Sequence, residues 1–179
     1  MSLTSYTFLT AIILIVAGFI LISNTSKIKE FIKNFPRSNK SSVVLLSIAL
    51  FWFQYQHVRN LGEADFGDYK LVIGLIGCFI AISSYFFIQD FLSVRAFCIL
   101  FLFYSREVLD AAFLQEPQSR LFLVSIIYFI ITFSIYFGAW PFRMRDFLNW
   151  LYNKRLRHFL LGCSFLVYGS LLIGVALTY

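Results

Sequence analysis

The chain has 179 residues, of which 60% are hydrophobic, 20% aromatic and only 13% charged, with a formal net charge of +6 at pH 7. An average soluble domain is about 45–50% apolar and about 25% charged, so a chain this small has too few charges to cover its surface in water. The composition excludes an ordinary soluble domain, a disordered tail, a collagen and a disulfide scaffold. It predicts a polytopic membrane protein.

Six segments are long and apolar enough for membrane helices, which need roughly 17–25 residues. They cover about residues 7–23, 42–58, 71–88, 91–114, 121–139 and 159–179. The sequence therefore predicts an all-α fold, in which residues 1–179 form a single six-helix integral membrane bundle.

The segment after the first span predicts a short basic amphipathic helix. Its apolar residues recur at the helical spacing: Ile28, Phe31, Ile32 and Phe35. Ser26 is the expected N-cap, and Pro36 is expected to end the helix. Its basic surface consists of Lys27, Lys29, Lys33 and Arg37.

The end of the second span and the loop after it are polar. His57 and Arg59 close the span, and Glu63 is one of three acidic residues in the loop. Together with charged residues of the fourth span, these groups predict a polar vestibule, with Arg59–Asp110 or Arg106–Glu63 as candidate ion pairs.

The fourth span is unusual because it contains Arg95, Arg106, Glu107 and Asp110. A charge near the centre of a membrane helix costs about 2.5–3.5 kcal/mol on insertion scales, so such residues tend to face protein or water. Arg95, Arg106 and Asp110 share one helical stripe, and Arg106 and Asp110 have the i,i+4 spacing of a salt bridge. We expect this stripe to be buried in the bundle, and Asp110→Ala to destabilise the protein more than Glu116→Ala.

Three interpretations of the polar group formed by His57, Arg59, Arg106, Glu107 and Asp110 stay open. The first is a structural ion-pair network. The second is a transport site for a solute, an ion or a proton, and the third is an interface with another membrane subunit.

A second basic amphipathic helix is predicted after the fifth span. Its apolar stripe consists of Met144, Phe147, Leu148 and Leu151, and Pro141 lies near its start, where a helix tolerates proline. Its basic residues are Arg143, Arg145, Lys154, Arg155 and Arg157. Both basic helices are expected to lie on the cytoplasmic leaflet and face anionic lipids, either as topology anchors or as a docking surface for a partner or a specific lipid.

The distribution of basic residues predicts the orientation, because short cytoplasmic loops carry an excess of Lys and Arg. With six spans and both termini outside, eleven of the 15 basic residues lie on the inner side. If the fourth segment did not span, the two basic loops would lie on opposite sides.

Small residues predict where helices pack closely in a membrane. The third span has Gly74 and Gly77, and the sixth has Gly162 and Gly169. These two spans are the expected tightly packed helices.

No pattern of an enzyme or a cofactor site is found. Cys78, Cys98 and Cys163 all lie inside predicted spans without CxxC spacing, and no HExxH, GxSxG or P-loop motif occurs. We therefore expect a non-enzymatic protein without a cofactor, a metal or a nucleic-acid partner.

Four short stretches resemble a family of small bacterial multi-pass membrane proteins that has no assigned activity. They are FPRS at residues 35–38, DFLSVR at 90–95, SREVLDAA at 105–112 and FRMRD at 142–146. The resemblance implies a bacterial inner membrane and supplies no site. The first functional expectation is a structural or accessory component of a membrane assembly, and the alternative is a small transporter or channel that uses the outer vestibule.

Overall fold

The computed structural model describes residues 2–23, 25–62, 66–88 and 90–179, and none of these residues forms a β-strand. The helices are α1 (Leu3–Ser23), α2 (Ser26–Asn34), α3 (Asn39–Trp52), α4 (Lys70–Phe87), α5 (Leu92–Ala112), α6 (Arg120–Ala139), α7 (Pro141–Asn153) and α8 (Arg155–Ala176). Two 3-10 turns, Phe35–Arg37 and Gly67–Tyr69, precede α3 and α4, and a π-helical turn, Phe53–Val58, continues α3. The all-α expectation is confirmed.

Four helices are long and apolar enough to cross a membrane: α1, α4 with its preceding 3-10 turn, α6 and α8. The α-helical part of α3 is shorter, at 14 residues, and α5 carries four charged residues. These two helices correspond to the predicted second and fourth spans.

Helices α1 and α8 form the closest pair, and they run antiparallel. A Cβ placed on Gly18 would lie 2.9 Å from the carbonyl oxygen of Gly162, and a Cβ on Gly169 would lie 3.1 Å from that of Ala11. The backbones approach this closely only because these glycines have no side chain. The sixth span, α8, is thus tightly packed as expected, whereas the third span, α4, is not, since only Gly74 of it is buried.

Helix α5 lies between α3 and α6 and also contacts α1. The hydroxyls of Thr10 on α1 and Tyr104 on α5 are 2.8 Å apart in the buried core. Val108 of α5 is fully buried in the same apolar cluster as Leu123 and Ile127 of α6. The helix that is least apolar by sequence is thus central to the packing.

Helix α4 lies at the periphery, where it contacts α3 and the π-helical turn. Of its residues only Gly74 is buried. The large apolar side chains left exposed on it include Leu71, Leu75, Phe79, Phe86 and Phe87. Such a surface is unsuited to water and is typical of contact with lipid or another protein.

The two ends of the bundle differ in chemistry. We call the end where α1 begins and α5 finishes the polar end, and the end that carries α2 and α7 the basic end. At the basic end, Val94 and Cys98 of α5 form a buried cluster with Phe137, Met144 and Leu148. The apolar stripe of α7 closes this end of the bundle, because Met144, Leu148 and Leu151 are buried there.

The bounds of the two amphipathic helices differ from the expectation in two places. The N-cap of α2 is Thr25 rather than Ser26, since Thr25 has the extended backbone of a cap and Ser26 is already helical. The second basic segment is interrupted at Lys154, which adopts an extended conformation. Arg155 and Arg157 therefore lie in the first turn of α8 and not in the surface helix.

Candidate functional site

The most irregular part of the polar end is the π-helical turn Phe53–Val58. The N–H of Arg59 donates to the carbonyl oxygen of Gln54 at 3.1 Å, which is the i→i−5 bond of a π-helix. A regular helix over residues 42–58 was expected, and the sequence carries no proline or glycine there to signal the change. Isolated π-turns occur frequently at functional sites.

One side of this turn is attached to α4 through Gln54. Its amide Nε2 donates to the carbonyl oxygen of Gly74 at 2.7 Å and contacts Sγ of Cys78 at 3.3 Å. A Cβ on Gly74 would lie only 2.9 Å from Oε1 of Gln54, so a side chain at this position would displace the Gln54 amide. Gln54 thus links the peripheral helix α4 to the polar end, together with Lys70 of α4, whose Nζ donates to the carbonyl oxygen of Arg59 at 3.4 Å.

His57 and Arg106 are brought together, although sequence reasoning had placed them in one vestibule without pairing them. Nη1 of Arg106 lies 2.9 Å from Nδ1 of His57. A guanidinium can only donate, so Nδ1 must accept and the imidazole proton must be on Nε2. That atom is buried and has no hydrogen-bond partner among the described residues. The ring centroid of His57 lies 4.8 Å from that of Phe103, so the imidazole is held between α5 and the π-turn.

The predicted pair of Arg106 and Asp110 is present, but it is not buried. Nε of Arg106 lies 3.8 Å from Oδ2 of Asp110, and the two side chains are 64% and 72% exposed. The expectation of a buried pair is wrong because Arg106 and Asp110 lie on the side of α5 opposite Val108 and Ala112, which pack in the core.

The other predicted ion pairs are not supported. The guanidinium of Arg59 lies over the ring of Tyr55, with 5.3 Å from Cζ to the centroid, and forms no ion pair with Asp110 in the described part of the chain. Glu63 lies outside the described residues, so the pair with Arg106 stays a prediction.

Glu107 faces a different direction from Arg106. Its carboxylate Oε2 accepts a hydrogen bond from Nε2 of Gln56 at 3.0 Å. The ion pairs found among the described residues are Arg106–Asp110 and Arg145–Asp146, so no basic side chain within that part of the chain neutralises Glu107.

The carboxylate lines a cleft of about 420 Å³ between α1 and α3. The lining residues come from four elements, and they are Tyr6, Ile48, Phe51, Trp52, Tyr55, Gln56 and Glu107. The sequence reasoning had assigned Glu107 to the polar group but missed this cleft, because nothing in the sequence indicates that α1 and α3 leave a gap.

Basic residues collect at the other end of the bundle, as the charge pattern predicted. Lys27, Lys33, Arg37, Arg143, Lys154 and Arg155 are exposed, and Lys29, Arg145 and Arg157 are half-buried. Cζ of Arg37 and of Arg145 lie 5.6 Å and 6.0 Å from the ring centroid of Phe91, and Cζ of Arg157 lies 4.3 Å from that of Trp150. The aromatic rings hold these guanidinium groups in place at the surface.

Within the described ranges, no three side chains of His, Cys, Asp or Glu lie close enough together to hold a metal ion. No protein-family model, curated protein or solved structure matches this chain.

Proposed function

We propose that the protein is a six-span membrane protein, with both termini outside, that acts as a non-enzymatic accessory component of a bacterial inner-membrane assembly. The bacterial location depends on the resemblance of its four short motifs. The number of spans is supported by the lengths of α3 and α5, the two predicted spans outside the four long apolar helices. Residues 39–58 continue as helix through α3 and the π-turn for about 30 Å, which is the thickness of the hydrocarbon core.

The relation between α3 and α5 also supports six spans. Oγ of Ser93 at the start of α5 donates to the carbonyl oxygen of Phe35 at 2.7 Å, just before α3. At the other end, Gln56 donates to Glu107. The two helices are thus parallel and occupy the same depth, which agrees with two crossings in the same direction. The basic end would face the cytoplasm, where basic loops are retained.

The accessory role depends mainly on one observation, the separation of polar and apolar groups along the bundle. Gln54, Gln56, His57 and Glu107 are confined to the polar end. The basic end of α5 is closed by the apolar cluster around Val94 and Cys98. The described residues therefore offer no continuous polar path from one end to the other, as a transporter or channel requires.

A small transporter remains the second candidate, and the cleft at Glu107 favours it. A partly enclosed carboxylate near the membrane is a common feature of ion and proton pathways. The two functions differ in a direct measurement, since only a transporter moves an ion or a solute across a sealed bilayer.

The test uses purified full-length protein in proteoliposomes, together with the native membrane. We expect no proton or alkali-cation flux above that of empty vesicles, and we expect the protein in native membranes to migrate as a complex larger than the monomer after mild solubilisation. Glu107→Gln serves as the matched variant for the flux measurement. Flux that requires Glu107, with a monomer in the native membrane, would overturn the accessory role and establish the transporter.

The topology is tested separately by single cysteines in a background without Cys78, Cys98 and Cys163. Cysteines at Ser2, Asp68 and Glu116 should react with an impermeant maleimide from outside the cell. Cysteines at Lys33 and Asn153 should react only after the membrane is opened. Reaction of Lys33→Cys and Asn153→Cys from opposite sides would exclude six spans.

A further inference from the structure

We propose that the cleft between α1 and α3 binds an amphiphilic amine, with its ammonium group at the carboxylate of Glu107 and its hydrocarbon chain along Ile48 and Phe51. This site is independent of the accessory role, because it depends only on the chemistry of the cleft walls.

The charge of the cleft selects a cation. Glu107 is the acidic residue of the lining, and the described part of the chain places no basic side chain against it. Gln56 donates to one carboxylate oxygen, which orients the group and leaves acceptor capacity for another donor. The nearest positive residue along the helix, Arg106, is directed toward His57 and Asp110 instead.

The aromatic lining selects an ammonium group rather than a metal ion. Tyr6 and Trp52 line the same cleft as the carboxylate. The faces of such rings attract ammonium groups, and the attraction is strongest where water is excluded. A metal ion would instead need several oxygen ligands, and Glu107 supplies the single carboxylate here.

The apolar part of the cleft selects an amphiphile. Ile48 and Phe51 lie on α3 below the π-turn, and Phe51 is 71% exposed toward the surroundings of the bundle. The cleft volume of about 420 Å³ falls in the range of about 300–1,000 Å³ that is usual for small-molecule sites. A ligand that enters from the side would place its chain on these two residues.

Two sources supply this chemistry, an aminophospholipid headgroup and a free alkylamine. Glu107 lies five residues before the end of α5, or about 7.5 Å along the helix axis. At that depth the ammonium of either molecule lies near the boundary between headgroups and hydrocarbon.

The experiment uses full-length protein in non-ionic dodecyl maltoside micelles, with Trp52 as the fluorescent reporter. The chain has three tryptophans, so Trp140→Phe and Trp150→Phe leave Trp52 alone. Decylamine, which is protonated at pH 7, and phosphatidylethanolamine are titrated as the two amine probes. Decanol, decyl sulfate and phosphatidylglycerol are the probes without an ammonium group.

We expect saturable fluorescence changes with at least one amine probe and none with the other three. Which amine saturates identifies the source as lipid or free amine. In Glu107→Gln, binding should be about tenfold weaker, since a hydrogen bond or ion pair to a charged group is lost. Glu116→Gln, an exposed change in the turn before α6, should bind as the parent does.

Equal binding of decanol and decylamine to the parent protein would overturn the proposal, since the cleft would then be a merely apolar groove. The same conclusion follows if Glu107→Gln keeps its native circular dichroism spectrum and binds the amines unchanged. Because decyl sulfate and decanol are compared on the parent protein, the charge preference is tested even if Glu107→Gln does not fold.

Discussion

Gln54 and Gln56 are two residues apart on the same π-helical turn, and they donate to different helices. Gln54 binds the carbonyl oxygen of Gly74 on α4, and Gln56 binds the carboxylate of Glu107 on α5. The turn is therefore a polar connection between the peripheral helix and the central one. Each contact is open to a separate test.

Gln54→Leu should loosen α4. The substitution removes the donor to Gly74 and the contact with Cys78, and a hydrogen bond contributes about 1 kcal/mol net. If the labelling rate is proportional to the population of the locally opened state, Cys78 should react with N-ethylmaleimide about fivefold faster than in the parent. The measurement uses a Cys98→Ala, Cys163→Ala background, in which Cys78 is the remaining thiol.

Gln56→Leu is the matched control for that experiment, because it lies on the same turn and contacts α5 instead of α4. The reactivity of Cys78 should then stay at the parent value. Faster labelling of similar size in both variants would mean that the π-turn as a whole has been disturbed, and the specific link from Gln54 to α4 would be wrong.

Asp110→Ala should have a small effect on stability. The pair with Arg106 is 3.8 Å long and mostly exposed, and surface pairs contribute about 0–1 kcal/mol. Arg106 also keeps its contact with His57 when Asp110 is removed. The free energy of unfolding in mixed micelles should therefore match that of Glu116→Ala to within about 1 kcal/mol. A much larger loss for Asp110→Ala would restore the buried pair that the sequence suggested.

The helices were predictable because their signals are local. Apolar runs of membrane length and the i,i+4 spacing of Arg106 and Asp110 depend on neighbours along the chain. The pairing of α1 with α8 was not predictable, since Gly162 and Gly169 show which face permits close approach but not which helix approaches it. The π-turn was missed for a related reason, because Gln54 and Gln56 find their acceptors on helices distant in sequence.

The cleft at Glu107 was not predicted for the same reason, because it depends on contacts between helices that are distant in sequence. Its charge was visible in the sequence. The gap between α1 and α3 depends on both helices packing against α5 and not against each other, which is a property of the whole bundle.

Tyr152 should make stability decrease at alkaline pH. Burial raises the pKa of this phenol above its ordinary value of about 10, and its hydroxyl has no hydrogen-bond partner among the described residues. Above pH 10 the unfolded chain loses the proton first, so the folded state loses stability as the pH rises toward the folded pKa. Tyr152→Phe should lose less unfolding free energy between pH 8 and pH 11 than the parent, as measured in mixed micelles.

The exposed Tyr69 supplies the comparison. Tyr69→Phe leaves Tyr152 in place, so this variant should keep the parent's alkaline loss of stability. At pH 8, Tyr152→Phe should be as stable as the parent or more stable, since it removes a buried hydroxyl without a partner. If Tyr152→Phe and the parent lose stability equally above pH 10, Tyr152 is not the group responsible.

Gly18→Ala should separate α1 from α8. The new Cβ would lie 2.9 Å from the carbonyl oxygen of Gly162, which belongs to the backbone and cannot rotate away. We expect a loss of about 1–3 kcal/mol in the free energy of unfolding, as is usual for overpacking. The hydrogen bond between Nδ1 of His158 and the carbonyl oxygen of Leu21, at 3.0 Å, should weaken with it, because it joins the same two helices.

Gly174→Ala is the matched control on α8, because nothing lies within 4 Å of the position that its Cβ would take. Alanine is the better helix former by about 1 kcal/mol, so this variant should be neutral or stabilised. The same propensity gain acts at Gly18 and offsets part of the clash there, so the difference in unfolding free energy between the two variants measures the clash. Equal stabilisation of both variants would show that α1 and α8 are not in backbone contact at Gly18.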